Sequence, residues 1–140
     1  MKLVANLKLM PTKAQHAALL DTLAMTNRAC TWLAGQAWET QTFGQFALHK
    51  LAYHPCRNKF LLAAQMVVRC IAKVADAYKL DQKTRRRFKR YAAQPYDDRI
   101  FRFCSDTEVS LWSTAGRLTI PYQCGDRQRA LLAYRKGKWT

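Results

Sequence analysis

Apolar and polar residues alternate along the first nine positions of the chain. The apolar side chains on one side of this segment are Leu3, Ala5, Leu7 and Leu9. A period of two residues is typical of a half-buried β-strand. Pro11 ends the alternation, and Thr12 and Gln15 then form the T-x-x-Q pattern of a helix capping box. We therefore predict a short strand followed at once by a helix.

Three segments have the spacing of amphipathic helices. The first extends to about Glu39 and has a weak point at Gly35; its apolar stripe consists of Leu19, Leu23, Thr26, Cys30, Leu33 and Ala37. A short second helix is predicted from 45 to about 53, ended near Pro55. The third helix is predicted over 61–79, and its stripe consists of Ala64, Val68, Ile71, Ala75 and Tyr78.

The helical period disappears after Pro95, and short alternating segments follow at 99–104, 107–113 and 117–122. Residues 127–136 fit either a short helix or an irregular strand. A lone N-terminal strand is not stable by itself, so we expect it to join the later strands. The predicted fold is α+β: an antiparallel β-barrel interrupted after its first strand by an insert of about three helices. Its parts are the first strand at 1–11, the helical insert at 12–93, and the remaining strands at 94–140.

The charge balance indicates an anionic partner. The 140 residues include 24 Lys and Arg against 9 Asp and Glu, a formal net charge of +15. Hydrophobic residues make up 49% of the chain, which excludes a disordered basic tail and favours a folded domain. Nucleic acid is the first expected partner of so basic a protein, and a membrane surface the second. No apolar run is long enough for a membrane-spanning helix, and a cytoplasmic location is expected.

The basic residues concentrate between 79 and 90, where seven of them accompany a single acid. The candidate phosphate contacts in this segment are Arg85, Arg86, Arg87, Lys89 and Arg90. Phe88 and Tyr91 lie among them and offer rings for stacking. Further candidates are Arg99, Arg127 and Arg129, the last two in a second basic stretch that continues to Lys138. The alternative interpretation of 79–90 is a solvated charged linker.

Four tryptophans divide into two classes. Trp38 and Trp139 are the candidates for exposed stacking surfaces, whereas Trp32 and Trp112 are predicted to belong to the core.

Candidate chemistry for catalysis or metal binding is sparse. Asp97 and Asp98 are adjacent, so on an extended chain their carboxylates point to opposite faces, and we interpret Asp97 as a turn residue or an arginine partner. The five cysteines contain no C-x-x-C pair and are interpreted as reduced thiols. His49, His54 and Cys56 come nearest to a ligand set, but their spacing favours surface histidines beside a packed cysteine. No catalytic residue, metal or cofactor is predicted for the chain.

Several motifs, taken together and in order, resemble the N-terminal region of TnpB (OrfB) proteins of insertion elements, relatives of the type V CRISPR effectors. The resemblance covers essentially the whole chain. Its motifs are L-x-L-x-P-T (Leu7 to Thr12), C-x-W (Cys30 to Trp32), F-A-L-H-K-L-x-Y (Phe46 to Tyr53), the helix from Ala63 to Lys79, P-Y-D-D-R (Pro95 to Arg99), V-S-L-W (Val109 to Trp112) and G-R-L-T-I-P-Y-x-C-G (Gly116 to Gly125).

The resemblance implies a wedge-like barrel with a helical recognition insert, which hold guide RNA and read a short DNA motif beside the target. In the family, a RuvC-like nuclease domain and a zinc ribbon follow, with their Mg²⁺ and Zn²⁺. Because this chain stops at Thr140, we expect a fragment, a truncated reading frame or the N-terminal half of a longer protein. It is expected to bind guide RNA and DNA and to cut neither, with no membrane or small-molecule partner. The alternatives are a stand-alone regulator that competes for RNA or DNA, and a helical protein-interaction module.

Overall fold

A computed structural model describes residues 4–132 of the chain. The helices are α1 (Lys13–Thr40), α2 (Gln45–Phe60), α3 (Ala64–Leu80) and α4 (Asp126–Leu132), and the strands are β1 (Lys8–Leu9), β2 (Phe101–Phe103), β3 (Glu108–Ser113) and β4 (Gly116–Gln123). The predicted α+β class is therefore confirmed. Among these helices, none is apolar over a length that would cross a membrane.

The capping box fixes the start of α1 as predicted. The Thr12 hydroxyl accepts the backbone N–H of Gln15 at 3.2 Å, and the Gln15 side-chain oxygen accepts the backbone N–H of Thr12 at 2.9 Å. The same Gln15 amide also donates to the carbonyl of Thr119 in β4 at 2.9 Å. The beginning of α1 is thereby attached to the sheet.

Helix α2 continues through Pro55, although the sequence predicted that it would end there. A proline inside a helix removes one backbone hydrogen bond. The last turn nevertheless forms, because Cys56 is buried and Phe60 packs edge-to-face on Trp32 of α1, with ring centroids 6.0 Å apart. Leu61 then ends the helix in the left-handed conformation at φ 53°. Tertiary packing has here overridden a local stop signal.

Helices α1, α2 and α3 surround the larger of two apolar cores. Helix α3 begins three residues later than predicted and turns one face inward, with Met66, Val67, Cys70, Ile71, Val74 and Tyr78 all buried. Trp32 and Trp112 are partly buried against this core, in agreement with their predicted role. Trp38 packs on it as well, so it does not stand free as a stacking surface.

The four strands form one antiparallel sheet in the order β1-β4-β3-β2. The N-terminal strand thus pairs with a later strand, as predicted, and α1 to α3 lie between β1 and β2 in the chain. One sheet face carries the second apolar core, where Val109 pairs with Ile120 and Leu111 with Leu118. Tyr96 packs against both cores.

Strand β1 is shorter than the alternation indicated. Ala5 and Leu7 pack against the sheet core, but the backbone N–H of Asn6 donates to the Gln128 side chain at 3.1 Å instead of joining a strand ladder. Leu3 lies outside the described residues.

Strand β2 is also shorter than predicted, because the carbonyl of Asp97 accepts the N–H groups of Ile100 and Phe101 and closes a turn before it. In residues 4–132 the sheet is open, since β1 and β2 each pair on one side only. The closed, wedge-like barrel stays a prediction.

Candidate nucleic-acid interface

The basic segment forms an irregular strap between α3 and the sheet. We define the strap as residues 81–94, which are assigned to no helix or strand. It begins where the Asp81 side chain accepts the backbone N–H of Lys83 at 2.8 Å and turns the chain away from the helix axis. A run of arginines repels itself in a helix, which also favours an irregular conformation here.

The first half of the strap is held by two hydroxyl groups. The Tyr78 hydroxyl, fully buried at the end of α3, donates to the carbonyl of Ala34 at 2.8 Å and accepts the backbone N–H of Arg86 at 3.1 Å. Thr31 of α1 accepts the backbone N–H of Phe88 at 3.0 Å. Both anchors bind the main chain of the strap, so these two contacts do not depend on the side chains at 86 and 88.

The second half of the strap is held by Asn27 of α1. This side chain is 1% exposed, and its amide donates to the carbonyls of Arg90 and Ala92 at 3.1 and 2.9 Å. Its oxygen accepts a hydrogen bond from the Lys73 ammonium at 2.8 Å. That ammonium also donates to the buried Gln94 at 3.2 Å. The half-buried Lys73 is partly withdrawn from water, and these acceptors offset the loss of hydration of its charge.

Lys73 contacts the strap a second time through the ring of Phe88. Its ammonium nitrogen lies 5.0 Å from the ring centroid, within the range of a cation–π interaction. Phe88 is half-buried against the helical core. The aromatic side chain at this position therefore serves docking of the strap, and it is not available for base stacking.

Gly35 permits a close approach of the strap to α1. A Cβ atom at this position would lie 2.5 Å from the Nη2 atom of Arg85, so the guanidinium occupies the space that a side chain would take. Arg85 also forms an ion pair with Glu39 at 3.7 Å. The weak point that the sequence showed in α1 is thus the place where an arginine packs on the helix backbone.

The five predicted phosphate contacts of the strap divide into two groups. Arg85 is paired with Glu39, and Arg86 lies 3.9 Å from the Asp81 carboxylate. The other three, Arg87, Lys89 and Arg90, are exposed and form no ion pair. All nine acids of the chain fall inside the described range, so this absence of ion pairs covers every candidate carboxylate side chain.

The remaining predicted basic contacts lie on other elements. Arg99 is in the turn before β2, where its side chain donates to Gln65 of α3 at 3.2 Å. Arg127 and Arg129 are exposed on α4 and form no ion pair with the described acids. The structure therefore does not gather these three residues into the strap.

Tyr91 is the exposed aromatic side chain of the strap. It is 49% exposed, and the guanidinium carbon of Arg90 lies 5.3 Å from its ring centroid. Of the stacking candidates from the sequence, Trp139 lies outside the described residues. Tyr91, which the sequence also offered for stacking, is therefore the exposed ring among the stacking candidates that the structure describes.

Asp97 is engaged in a structural cluster, as the sequence indicated. Its carboxylate accepts a hydrogen bond from the Gln65 amide, lies 3.6 Å from the Arg69 guanidinium, and accepts the backbone N–H of Arg99 at 3.0 Å. These contacts join α3 to the turn before β2. The carboxylate is therefore occupied by protein groups on several sides.

The histidines and cysteines pack without forming a ligand set. His49 stacks on Tyr53 with ring centroids 4.6 Å apart, and His54 meets the same ring edge-on. Burial raises the pKa of the Cys56 thiol to about 12, so this sulfur is protonated at neutral pH. Among residues 4–132, no three His, Cys, Asp or Glu side chains are arranged to hold a metal ion.

The residues that position the strap were not found by sequence reasoning. Asn27 and Lys73 are polar side chains on amphipathic helices, and the pattern places such residues toward solvent. Asn27 in fact follows Thr26 of the apolar stripe and is fully enclosed. The one available signal was Gly35, because a glycine inside a long helix costs stability and needs a packing reason.

Comparison of the chain with protein-family models, with curated proteins and with solved structures found no match.

Proposed function

We propose that this chain is a nucleic-acid-binding module and that the strap is its main contact with phosphate. The observation that carries the proposal is the exposed, acid-free group of Arg87, Lys89 and Arg90 on a main chain held by buried side chains. A net charge of +15 adds a long-range attraction for polyanions. Arg85 and Arg86 come second in this assignment, because each already faces a carboxylate.

The resemblance in the sequence motifs makes the proposal more specific. The chain would hold guide RNA and target-adjacent DNA as the wedge-like and recognition parts of a TnpB-like protein, in the cytoplasm near the nucleoid. Arg99, Arg127 and Arg129 would contact phosphates outside the strap. A closed barrel belongs to this proposal. In such guided systems the protein recognises backbone shape and a short motif, while base pairing reads the sequence. We assign no catalytic step to this chain.

The proposal is tested by the salt dependence of RNA binding. The Arg87→Gln/Lys89→Gln/Arg90→Gln variant should bind a structured RNA about a hundredfold more weakly at 0.1 M salt, because each lost phosphate contact removes a counterion-release slope of about 0.7 to 0.9. The slope of log K against log salt should therefore fall in magnitude by about 2 to 3. Filter binding at several salt concentrations measures both quantities.

A matched control removes the same charge from α2. Lys50, Arg57 and Lys59 are exposed there, and replacing all three by Gln also lowers the net charge by three. If the two triple variants lose affinity equally, the attraction is general and the strap is not the contact. No measurable RNA or DNA binding by the full chain at low salt would refute the proposed function.

One observation favours a second candidate, the helical protein-interaction module. Phe46 lies in the first turn of α2 and Leu61 directly follows its last residue, and each is 86% exposed. A partner that covered these side chains would gain about 25 cal/mol for each Å² of apolar surface removed from water. This candidate is supported if the chain binds no nucleic acid but does associate with itself or with another protein, and if the Phe46→Ser variant loses that association.

A further inference from the structure

We infer that the strap binds a single-stranded segment of nucleic acid in preference to a duplex; the inference rests on the proposed function and specifies the ligand of the same site. Three features of the strap support it: the spacing of its charges, the way its main chain is anchored, and the exposed ring of Tyr91.

Two exposed cations of the strap, Arg87 and Lys89, alternate with half-buried residues along a segment that has no bend or turn. Residues 85–89 contain no bend or turn, and their side chains alternate between exposed at 85, 87 and 89 and half-buried at 86 and 88. In an extended chain every second residue recurs after about 6.6 Å. Successive phosphates of an extended single strand recur over a comparable distance, so consecutive outward cations face consecutive phosphates. Arg87 and Lys89 are the unpaired members of this row.

The anchoring of the strap opposes binding in a duplex groove. Reading a duplex directly requires an element that enters the groove, such as a helix or a two-stranded ribbon. The strap is attached to α1 and α3 at Arg86, Phe88 and Arg90 through their backbone groups. It therefore lies against the helices and presents only its outer side chains. Such a surface suits a flexible strand that can follow it.

The exposed ring of Tyr91 is a stacking surface for an unpaired base, which a duplex does not offer. Binding of single strands commonly combines a basic track with aromatic rings on which unpaired bases stack. The half-exposed Tyr91 ring follows the row of cations directly, and the Arg90 guanidinium lies over it at 5.3 Å. A base can stack here only when it is free of its complement. The ring thus favours the single-stranded form.

The experiment compares a labelled pyrimidine RNA strand of about 16 nucleotides, alone and annealed to its complement, in binding to the full chain at several salt concentrations. The single strand should bind about tenfold more tightly than the duplex. Tyr91→Ala should weaken single-strand binding about fivefold or more, since one stacked base contributes at least about 1 kcal/mol, and leave duplex binding unchanged. Tyr91→Phe, which keeps the ring, should restore the affinity.

Two control variants separate local contacts from general effects. Phe46→Ala removes an exposed ring from α2 and should not alter binding. Arg87→Gln/Lys89→Gln should weaken single-strand binding about 25-fold at 0.1 M salt, against a smaller loss for Arg57→Gln/Lys59→Gln, which removes the same charge. Equal or tighter duplex binding, or an unaffected Tyr91→Ala variant, overturns the inference and leaves the proposed function standing. If neither form binds at low salt, the proposed function itself fails.

Discussion

Asn27 is the side chain that fixes the second half of the strap. It binds two carbonyls of the strap and the Lys73 ammonium at once, while 1% exposed. A buried amide with all of its groups satisfied stabilises one conformation strongly, because each alternative leaves polar atoms unpaired. A neutral residue 63 and 65 positions before its two partners thereby explains the ordered path of this charged segment around Arg90 and Ala92.

Replacing Asn27 by Leu should lower the free energy of unfolding by about 3 kcal/mol, because the ammonium of Lys73 and the two carbonyls lose their partner. Urea denaturation followed by circular dichroism measures the change. Asn58→Leu on the exposed side of α2 is the matched control, with an expected change within about 0.5 kcal/mol. Similar losses in both variants would show that Asn27 does not have this role.

At the scale of elements, local signals predicted the start of α1 and the hairpin of β3 and β4. The start of α1 follows from the capping box of Thr12 and Gln15, which are three residues apart. The register of β3 with β4 follows from their alternation and the turn at Gly116. The extension of α2 beyond Pro55 depends on a ring contact with Trp32 from another helix. No pattern within α2 contains that information.

The candidate site shows the same division. Its exposed cations could be predicted, because the sequence shows seven basic residues between 79 and 90. The sequence did not predict which of these cations form ion pairs. The pairing of Arg85 with Glu39, for example, depends on how the strap crosses α1 at Gly35. The alternation of residues 85–89 was likewise hidden, because consecutive arginines carry no apolar period.

Helix α2 provides an element-scale prediction. Pro55 is exposed and lies inside the helix, so Pro55→Ala should restore a backbone hydrogen bond and raise the free energy of unfolding by about 1 to 2 kcal/mol. Pro55→Gly also restores the N–H but has a lower helix propensity, and its gain should be smaller by about 1 kcal/mol. Chemical denaturation compares the two. A loss of stability in Pro55→Ala would mean that the packing of the proline ring contributes more free energy than the restored backbone hydrogen bond.

At the scale of the whole molecule, two buried groups resist ionisation, and one of them, Tyr96, packs against both cores. Burial raises the pKa of Tyr96 above its ordinary value, and burial raises the pKa of Cys56 to about 12. These groups stay neutral in the folded protein over a range of pH in which the unfolded chain ionises.

Stability should therefore be full below pH 9 and fall as the pH rises from 9 toward 12. In this window the unfolded chain releases protons that the folded protein retains, and each such group adds a slope of about 1.4 kcal/mol per pH unit. Urea denaturation at a series of pH values should show a shallower fall for Cys56→Val than for the unmodified chain. Cys104→Val, at an exposed position, should leave the slope unchanged. A wild-type curve flat up to pH 11 contradicts this prediction.

The anchors of the strap act on its main chain: Arg86 and Phe88 are held by their N–H groups, and Arg90 and Ala92 by their carbonyls. Most residue types supply the same N–H and carbonyl groups. The outward residues at 87 and 89 are therefore free to change while the path of the strap is kept. The ligand preference of this surface can therefore change, in evolution or by design, through substitutions at 87 and 89. The main-chain path of the strap stays the same through such changes.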